Sequence, residues 1–369
     1  MRRDQDSRRL VELTNFGSNP GVLKCWLYLP TILAPKTPLV VVMHGCAQNA
    51  AAFDLGSGWS QLAEEKGFAV LFPEQQRANN ANLCFNWFEP GDTQCGAGEA
   101  LSIREMIGHC ILSHGMDASR VFITGLSAGG AMANVMLATY PEVFAGGAII
   151  GGLPYGVASN VGQAFERMQG RNPPSVTQLR SALATASSKR AQLPKISVWH
   201  GTHDQTVRQI NAEHTASQWL GIHGLSGTPG TVEAVNGHTR KTWLDKNGKE
   251  AVEIYLISGM AHGVPLSSGA KVPLGNTGPF MLEAGISSTA RIARYWGLAK
   301  DNDVSDAEGV VRSGNQHEPI LEGIEAVMAK AMGYAKSTAF TEQSQFQGHT
   351  TQGVSKVIND ALRAAGLTR

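Results

Sequence analysis

Nowhere in the 369 residues do two cysteines stand in a C-x-x-C pair. No block of lysine and arginine occurs either, and no apolar run approaches the ~20 residues needed to span a bilayer. Each absence excludes something. Without paired spacings the five cysteines (Cys25, Cys46, Cys84, Cys95, Cys110) make a poor zinc site or dithiol redox centre, and their odd number leaves at least one unpaired. A net charge of +1 with no basic stretch gives no electrostatic case for binding nucleic acid or an anionic membrane. The opening MRRDQDSRRL is followed by no apolar segment, so it does not read as a secretory signal. The expectation is a cytoplasmic protein, or a secreted one whose leader has been removed. No metal and no organic cofactor are expected.

What is present is enough apolar material for a large core: 42% of the residues are hydrophobic and 17% charged. Length alone suggests roughly two domains of about 150 residues, although single α/β domains often run longer. Several runs are apolar without alternation: PLVVVMHG ending near Gly45, FAVLFP (68–73), RVFITG (120–125), GGAIIGG (146–152) and KISVWHG (195–201). Continuous Val and Ile content is what a strand covered on both faces requires. Helix-like stretches lie between them at 59–67, 99–114, 128–140 and 207–220, so the pattern predicts a doubly wound, mostly parallel α/β sheet flanked by helices. TVEAVNG, TRKTWLD and EAVEIYLI are spaced as hairpin-linked strands, with KNG (246–248) as a turn, and are expected to extend the same sheet. A helix is expected over 283–296. From Asp301 the composition shifts: the acidic DNDVSDAEG precedes helical spacing at 318–332 and 355–365, so residues 301–369 are expected to form a C-terminal helical extension to a domain spanning 1–300.

The strongest local signal is ITGLSAGGAMANVM, a G-x-S-x-G centred on Ser127, placed after one strand and before a helix. In that context the motif has mechanical meaning: a sharp strand-to-helix turn lifts the hydroxyl clear of the sheet at the positive end of the helix. A serine needs a base to take its proton and an acid to orient the base, and in the α/β-hydrolase order both follow the serine. KISVWHGTHDQTV offers Asp204 just past a strand end, and YLISGMAHGVPL offers His262 after a later strand. Asp204 could instead cap the helix beginning near Val207, and His200 or His203 could compete for the role of base. His44, His109, His114 and His214 lack the order or setting. An oxyanion would need two donors: the N–H of Ala128, after the serine, and the N–H of Cys46, in the loop that ends PLVVVM.

Taken together, HGCAQN, GWSQLAEEKGFAVLFPEQQ, NLCFNWFEPGD, GEALSIREM, RVFITGLSAGGAMANVMLATYPEVFAGGAIIGGLPYG, ISVWHGTHDQTV and GMAHGVPL resemble the polyhydroxybutyrate depolymerase-type esterases, α/β-hydrolases related to feruloyl and acetylxylan esterases. The resemblance runs in order from Leu13 to Leu298, about four-fifths of the chain. It implies the α/β-hydrolase fold, Ser127 as nucleophile, Asp204 as acid, His262 as base, and Cys46 and Ala128 as backbone oxyanion donors. The implied function is a serine carboxylesterase acting on short-chain hydroxyalkanoate esters or oligomers. Feruloyl or acetyl esters on polysaccharide are the alternative, peptide hydrolysis a distant one, and a non-catalytic binding relative a different class of reading. Trp87, Phe88 and Trp199 are the aromatics expected to face the acyl or alcohol pocket. Because this family brings the loop carrying Cys84 over the strand ends, a Cys46–Cys84 disulfide is expected, with Cys25 and Cys110 as buried hydrophobes and Cys95 as a free thiol. The tail holds Tyr334, Phe340 and Phe346 but no tryptophan, so it is not expected to be a polymer-binding module.

Overall fold

The computed structural model describes residues 10–187 and 193–300. The apolar runs become strands of one ten-stranded sheet. Its centre holds β3 (Leu39–Met43), β4 (Ala69–Glu74), β5 (Val121–Leu126), β6 (Gly146–Ile150), β7 (Lys195–Gly201) and β10 (Glu250–Ile257), ordered β4-β3-β5-β6-β7-β10 and mutually parallel. Antiparallel strands close both edges: β2 (Lys24–Tyr28) and the short β1 (Val11–Glu12) beyond β4, and β9 (His238–Leu244) and β8 (Thr231–Val235) beyond β10. The expected hairpins do extend the main sheet. In the KNG turn the Asp245 carboxylate accepts from the N–H groups of Asn247 and Lys249.

Every residue of β3 is buried, and the strand shows why such runs lack alternation. Leu39, Val41 and Met43 enter one core, with Met106 of α3 (Gly98–His114), Met132 of α4 (Ala128–Thr139), Ala164 of α5 (Val161–Met168), Leu179 of α6 (Val176–Thr185) and Trp219 of α7 (Ile210–Ile222). Val40 and Val42 enter the other, with Phe53 of α1 (Ala50–Ser57), Leu62 of α2 (Trp59–Lys66) and Ile292 of α8 (Ser288–Tyr295). With side chains alternating across a sheet buried on both sides, both sets must be apolar.

Two helix boundaries differ from expectation. Helix α7 begins at Ile210 rather than near Val207, because the Asp204 side chain takes the N–H groups of Thr206 and Val207 into a turn of its own. The helix expected from 283 begins at Ser288, where the Ser287 hydroxyl caps it by accepting from Ala290 N–H. Residues Met281–Glu283 form instead a strand, β12, paired in parallel with β11 (Val264–Leu266). The extension expected at 301–369 lies outside the described residues.

Candidate active site

Ser127 joins β5 to α4 with φ 57° and ψ −120°, a left-handed backbone that costs a side chain of this kind about 1–3 kcal/mol. What holds it there is close packing of the chain. A Cβ on Gly125 would lie 2.4 Å from the carbonyl oxygen of Gly129, and one on Gly129 would lie 2.4 Å from the carbonyl oxygens of Met43 and His44. Only glycine fits at either place. The Ser127 N–H donates to the carbonyl of Ile150 at 2.9 Å. Its hydroxyl makes no cap bond to α4 and remains available at the helix N-terminus, half-buried.

Asp204 and His262 meet beside this turn. Asp204 Oδ2 lies 2.7 Å from His262 Nδ1, while Oδ1 accepts from Thr206 N–H at 2.9 Å and Val207 N–H at 2.8 Å. The two oxygens thus divide the work: one fixes the loop, the other the imidazole. Asp204 thus does not cap α7, whose N-cap is Gln209; it closes the preceding turn and holds the histidine with the same side chain. Both residues are buried, at 3% and 4% exposure. Burial works to raise the Asp204 carboxyl, but His262 and His200 outweigh it and hold it well below the usual carboxylate range. The Asp204 loop is tied to the His262 loop by a bond from His203 N–H to the Met260 carbonyl, 3.0 Å. A Cβ on Gly151, the residue after Ile150, would stand 3.1 Å from His262 Cε1, so the imidazole lies over the segment that holds Ser127.

The competing histidines are otherwise engaged. His200 is buried, with Nε2 2.6 Å from the Val207 carbonyl oxygen and 3.3 Å from Asp204 Oδ2, so it supports the carboxylate from below. His203 is exposed and its Nδ1 lies beside the Thr202 hydroxyl.

At the end of β3 the N–H of Gly45 donates to Gln48 Oε1 and that of Ala47 to the Asn82 carbonyl, both at 2.8 Å. Between them, the N–H of Cys46 has no acceptor among the described residues. Nor has that of Ala128, which opens α4 and is one of the donors any helix start leaves unpaired. The left-handed residue in this loop is Ala47, φ 59°. Cys46 is disulfide-bonded to Cys84, while Cys25 and Cys110 are buried free thiols and Cys95 an exposed one.

Two residues with no sequence signal for the task, His44 and Glu99, hold this loop in place. His44 Nδ1 donates to the Gly45 carbonyl at 2.7 Å, and Nε2 accepts from Gln75 N–H at 3.1 Å. Burial pushes this imidazole below its ordinary value, which keeps it neutral and able to accept. The Gln75 side-chain amide then donates to the Cys84 carbonyl and to Glu99 Oε1. Glu99 is completely buried and also accepts from Asn79 Nδ2 and Asn86 N–H. Glu99 stands in the first turn of α3, where an acidic residue is ordinary, so it carries no sequence mark of such a role.

Burial, followed by the charge of Asp92, pushes the Glu99 carboxyl from 4.5 up to about 8, against its three donors. A folded-state value above the unfolded one means that the stability this group contributes is present below about pH 4.5 and lost as pH rises through about 8. Urea-unfolding stability should therefore fall over that range by up to about 1.4 kcal/mol per pH unit from this group, and Glu99→Gln should flatten the slope.

The expected pocket aromatics separate. Phe88 is half-buried at the core margin, with Trp87 edge-on to it at 5.2 Å and 7% exposed. Trp199 does not face the site. It is fully buried, stacked on Tyr255 with centroids 3.9 Å apart, and its indole donates to Ser197 Oγ. On a strand covered on both faces, its side chain enters a core rather than passing over the strand end. The aromatic ring that does border the imidazole is Phe280, half-buried, with its centroid 6.2 Å from that of His262 and the planes at 80°.

Parallel strands whose C-terminal ends bring Ser127, Asp204 and His262 to one edge put the protein in the α/β-hydrolase class. Comparison with known proteins narrows this: the family profile Esterase PHB depolymerase matches residues 23–243, and the chain belongs to that family of esterases. It is 42% identical over 295 residues to poly(3-hydroxyalkanoate) depolymerase C of Paucimonas lemoignei, covering 78% of this chain and 70% of that one. Feruloyl esterase B of Talaromyces stipitatus is 32% identical over 69% of this chain and 72% of its own. Among solved structures, the acetyl xylan esterase from Aspergillus awamori superposes with a TM-score of 0.67 at 25% identity, over 79% of this chain and 99% of that one.

Proposed function

We propose that this esterase is a serine carboxylesterase whose nucleophile is Ser127, with esters or oligomers of short hydroxyalkanoates as substrates. The observation that carries the mechanism is the 2.7 Å bond between Asp204 Oδ2 and His262 Nδ1. A proton on Nδ1 is held by the carboxylate, so Nε2 is left with a lone pair and can act as base. Ser127 Oγ attacks the ester carbonyl carbon as its proton passes to Nε2, and Asp204 stabilises the imidazolium. The N–H groups of Cys46 and Ala128 receive the developing oxyanion. The C–O bond to the alcohol then breaks, and the alcohol leaves with the proton from Nε2. Water repeats the sequence on the acyl-enzyme, releasing the acid and restoring the Ser127 hydroxyl.

The substrate class rests on the similarity to the Paucimonas lemoignei poly(3-hydroxyalkanoate) depolymerase, 42% identical. The second reading, feruloyl or acetyl esters attached to polysaccharide, rests on relatives named feruloyl esterase and acetylxylan esterase at 32% and 31% identity. Side-by-side rates on 3-hydroxybutyrate oligomers, ethyl ferulate and acetylated xylan separate the two: fastest turnover of the oligomers is expected, and a clear preference for either of the others reverses the order. A fluorophosphonate probe should label the protein covalently at Ser127. Failure to label at high probe concentration would favour a non-catalytic binding protein instead.

A further inference from the structure

We propose that Phe280 is a specificity-determining residue of this site, the wall against which the alcohol half of the ester packs. The inference rests on the reading of Ser127, Asp204 and His262 given above. It begins with a backbone anomaly: Phe280 has φ 62°, a left-handed conformation that large side chains rarely adopt and that concentrates at functional sites.

The surrounding chain gives Phe280 no room to relax. Its carbonyl accepts from Val264 N–H at 2.7 Å, and a Cβ on Gly263 would come within 2.7 Å of the same oxygen. The turn containing it is closed by paired bonds between Gly278 and Met281, at 2.9 and 3.1 Å. Directly after it, Met281 pairs with Val264, two residues past His262, in the β11–β12 ladder. The same ladder therefore fixes the histidine and the phenylalanine relative to each other. Met281 turns into the core at 4% exposure, while the ring of Phe280 stays half-buried and stands across the imidazole.

The chemistry of that imidazole decides which half of the substrate meets the ring. The oxyanion donors on Cys46 and Ala128 take the carbonyl oxygen. His262 must instead come within hydrogen-bond reach of the leaving oxygen to return the proton. A ring bordering His262 therefore lies beside the first carbons of the alcohol. Being flat and apolar, it favours alcohols that carry hydrocarbon next to the ester oxygen over small or strongly hydrated ones.

Two ester series test this. One keeps a butanoyl group and varies the alcohol from ethyl to sec-butyl to cyclohexyl; the other keeps ethanol and varies the acyl group from acetyl to hexanoyl. Wild-type enzyme should prefer the bulkier alcohols. Phe280→Gly, which suits the left-handed backbone and so preserves the fold, should shrink that preference about tenfold while the acyl ratios move less than about twofold. Phe280→Leu, which keeps apolar bulk, should retain most of it. Equal shifts in both series would mean that the ring merely supports His262, and unchanged ratios would mean that it touches nothing. Either result, or a wild type indifferent to the alcohol, overturns the assignment while the esterase mechanism stands. If wild type neither turns over any ester nor labels with fluorophosphonate, the mechanism falls, and Phe280 with it.

Discussion

Ser127→Ala should lower kcat/KM for a p-nitrophenyl short-chain ester by about 10⁴- to 10⁶-fold, the range over which loss of a triad nucleophile acts. The fold should not change, since the hydroxyl makes no structural bond to α4 and the tight approaches around it belong to Gly125, Gly129 and the Ser127 backbone. Alanine keeps a Cβ at φ 57°, so its thermal midpoint should match that of wild type. Ser127→Gly separates strain from chemistry. Relief of a left-handed side chain gains about 1–3 kcal/mol, against about 0.5–1 kcal/mol lost to the wider freedom of glycine when unfolded. The glycine variant should thus be as inactive as the alanine one yet more stable. Activity retained in either pure variant removes Ser127 from the mechanism.

The second large effect is expected at Asp204, and the hydrogen-bond geometry says why a nearly isosteric change is so costly. Asp204→Asn must place one oxygen and one amide where two carboxylate oxygens stood. The pair of N–H groups from Thr206 and Val207 demands the oxygen, so the amide NH₂ faces His262 Nδ1. Nδ1 must then accept, the ring proton moves to Nε2, and the position that should take the serine proton is already filled. A loss of about 10⁴-fold in kcat with little change in KM follows. The same carboxylate, held well below its usual value, contributes stability that is present above the ordinary aspartate range near pH 3.8 and lost as pH falls through the folded-state value. The asparagine variant should lack that acid-side loss. Unchanged kcat would show that His262 does not depend on Asp204 for its tautomer.

The parts of the molecule legible in the sequence share one property: a local pattern that tertiary packing reinforces. The central strands could be read because burial on both faces makes their runs mostly apolar, without the alternation of a half-exposed strand, even though Thr124, Ser197 and Glu253 are buried among them. Ser127, Asp204 and His262 could be read because each stands just past such a run, where a parallel sheet must expose its strand ends. The rest depends on distant neighbours. β11 and β12 have three residues each and exist only through each other, so no periodicity marks them. Trp199 is near Asp204 along the chain, but its cross-strand partner in β10 is Tyr255, and stacking there takes it into the core. His44 and Glu99 act through bonds to Gln75, and neither residue type announces such a partner. Nothing in a sequence marks Phe280 as left-handed, because the reason lies in Gly263 and Val264.

The Cys46–Cys84 disulfide closes a ring of sequence that contains α1, α2 and the whole of β4. Cys46 lies just past β3, and Cys84 in the loop that follows β4, the adjacent parallel strand; Val41 and Leu71 of the two strands are partners. A parallel pair can be joined only by a crossover, and this one is stapled across its exit. In the folded chain the bond spans a complete crossover, with Phe53 of α1 and Leu62 of α2 packed in one core. Once formed, the bond fixes the loop that carries the Cys46 N–H to the loop that follows β4.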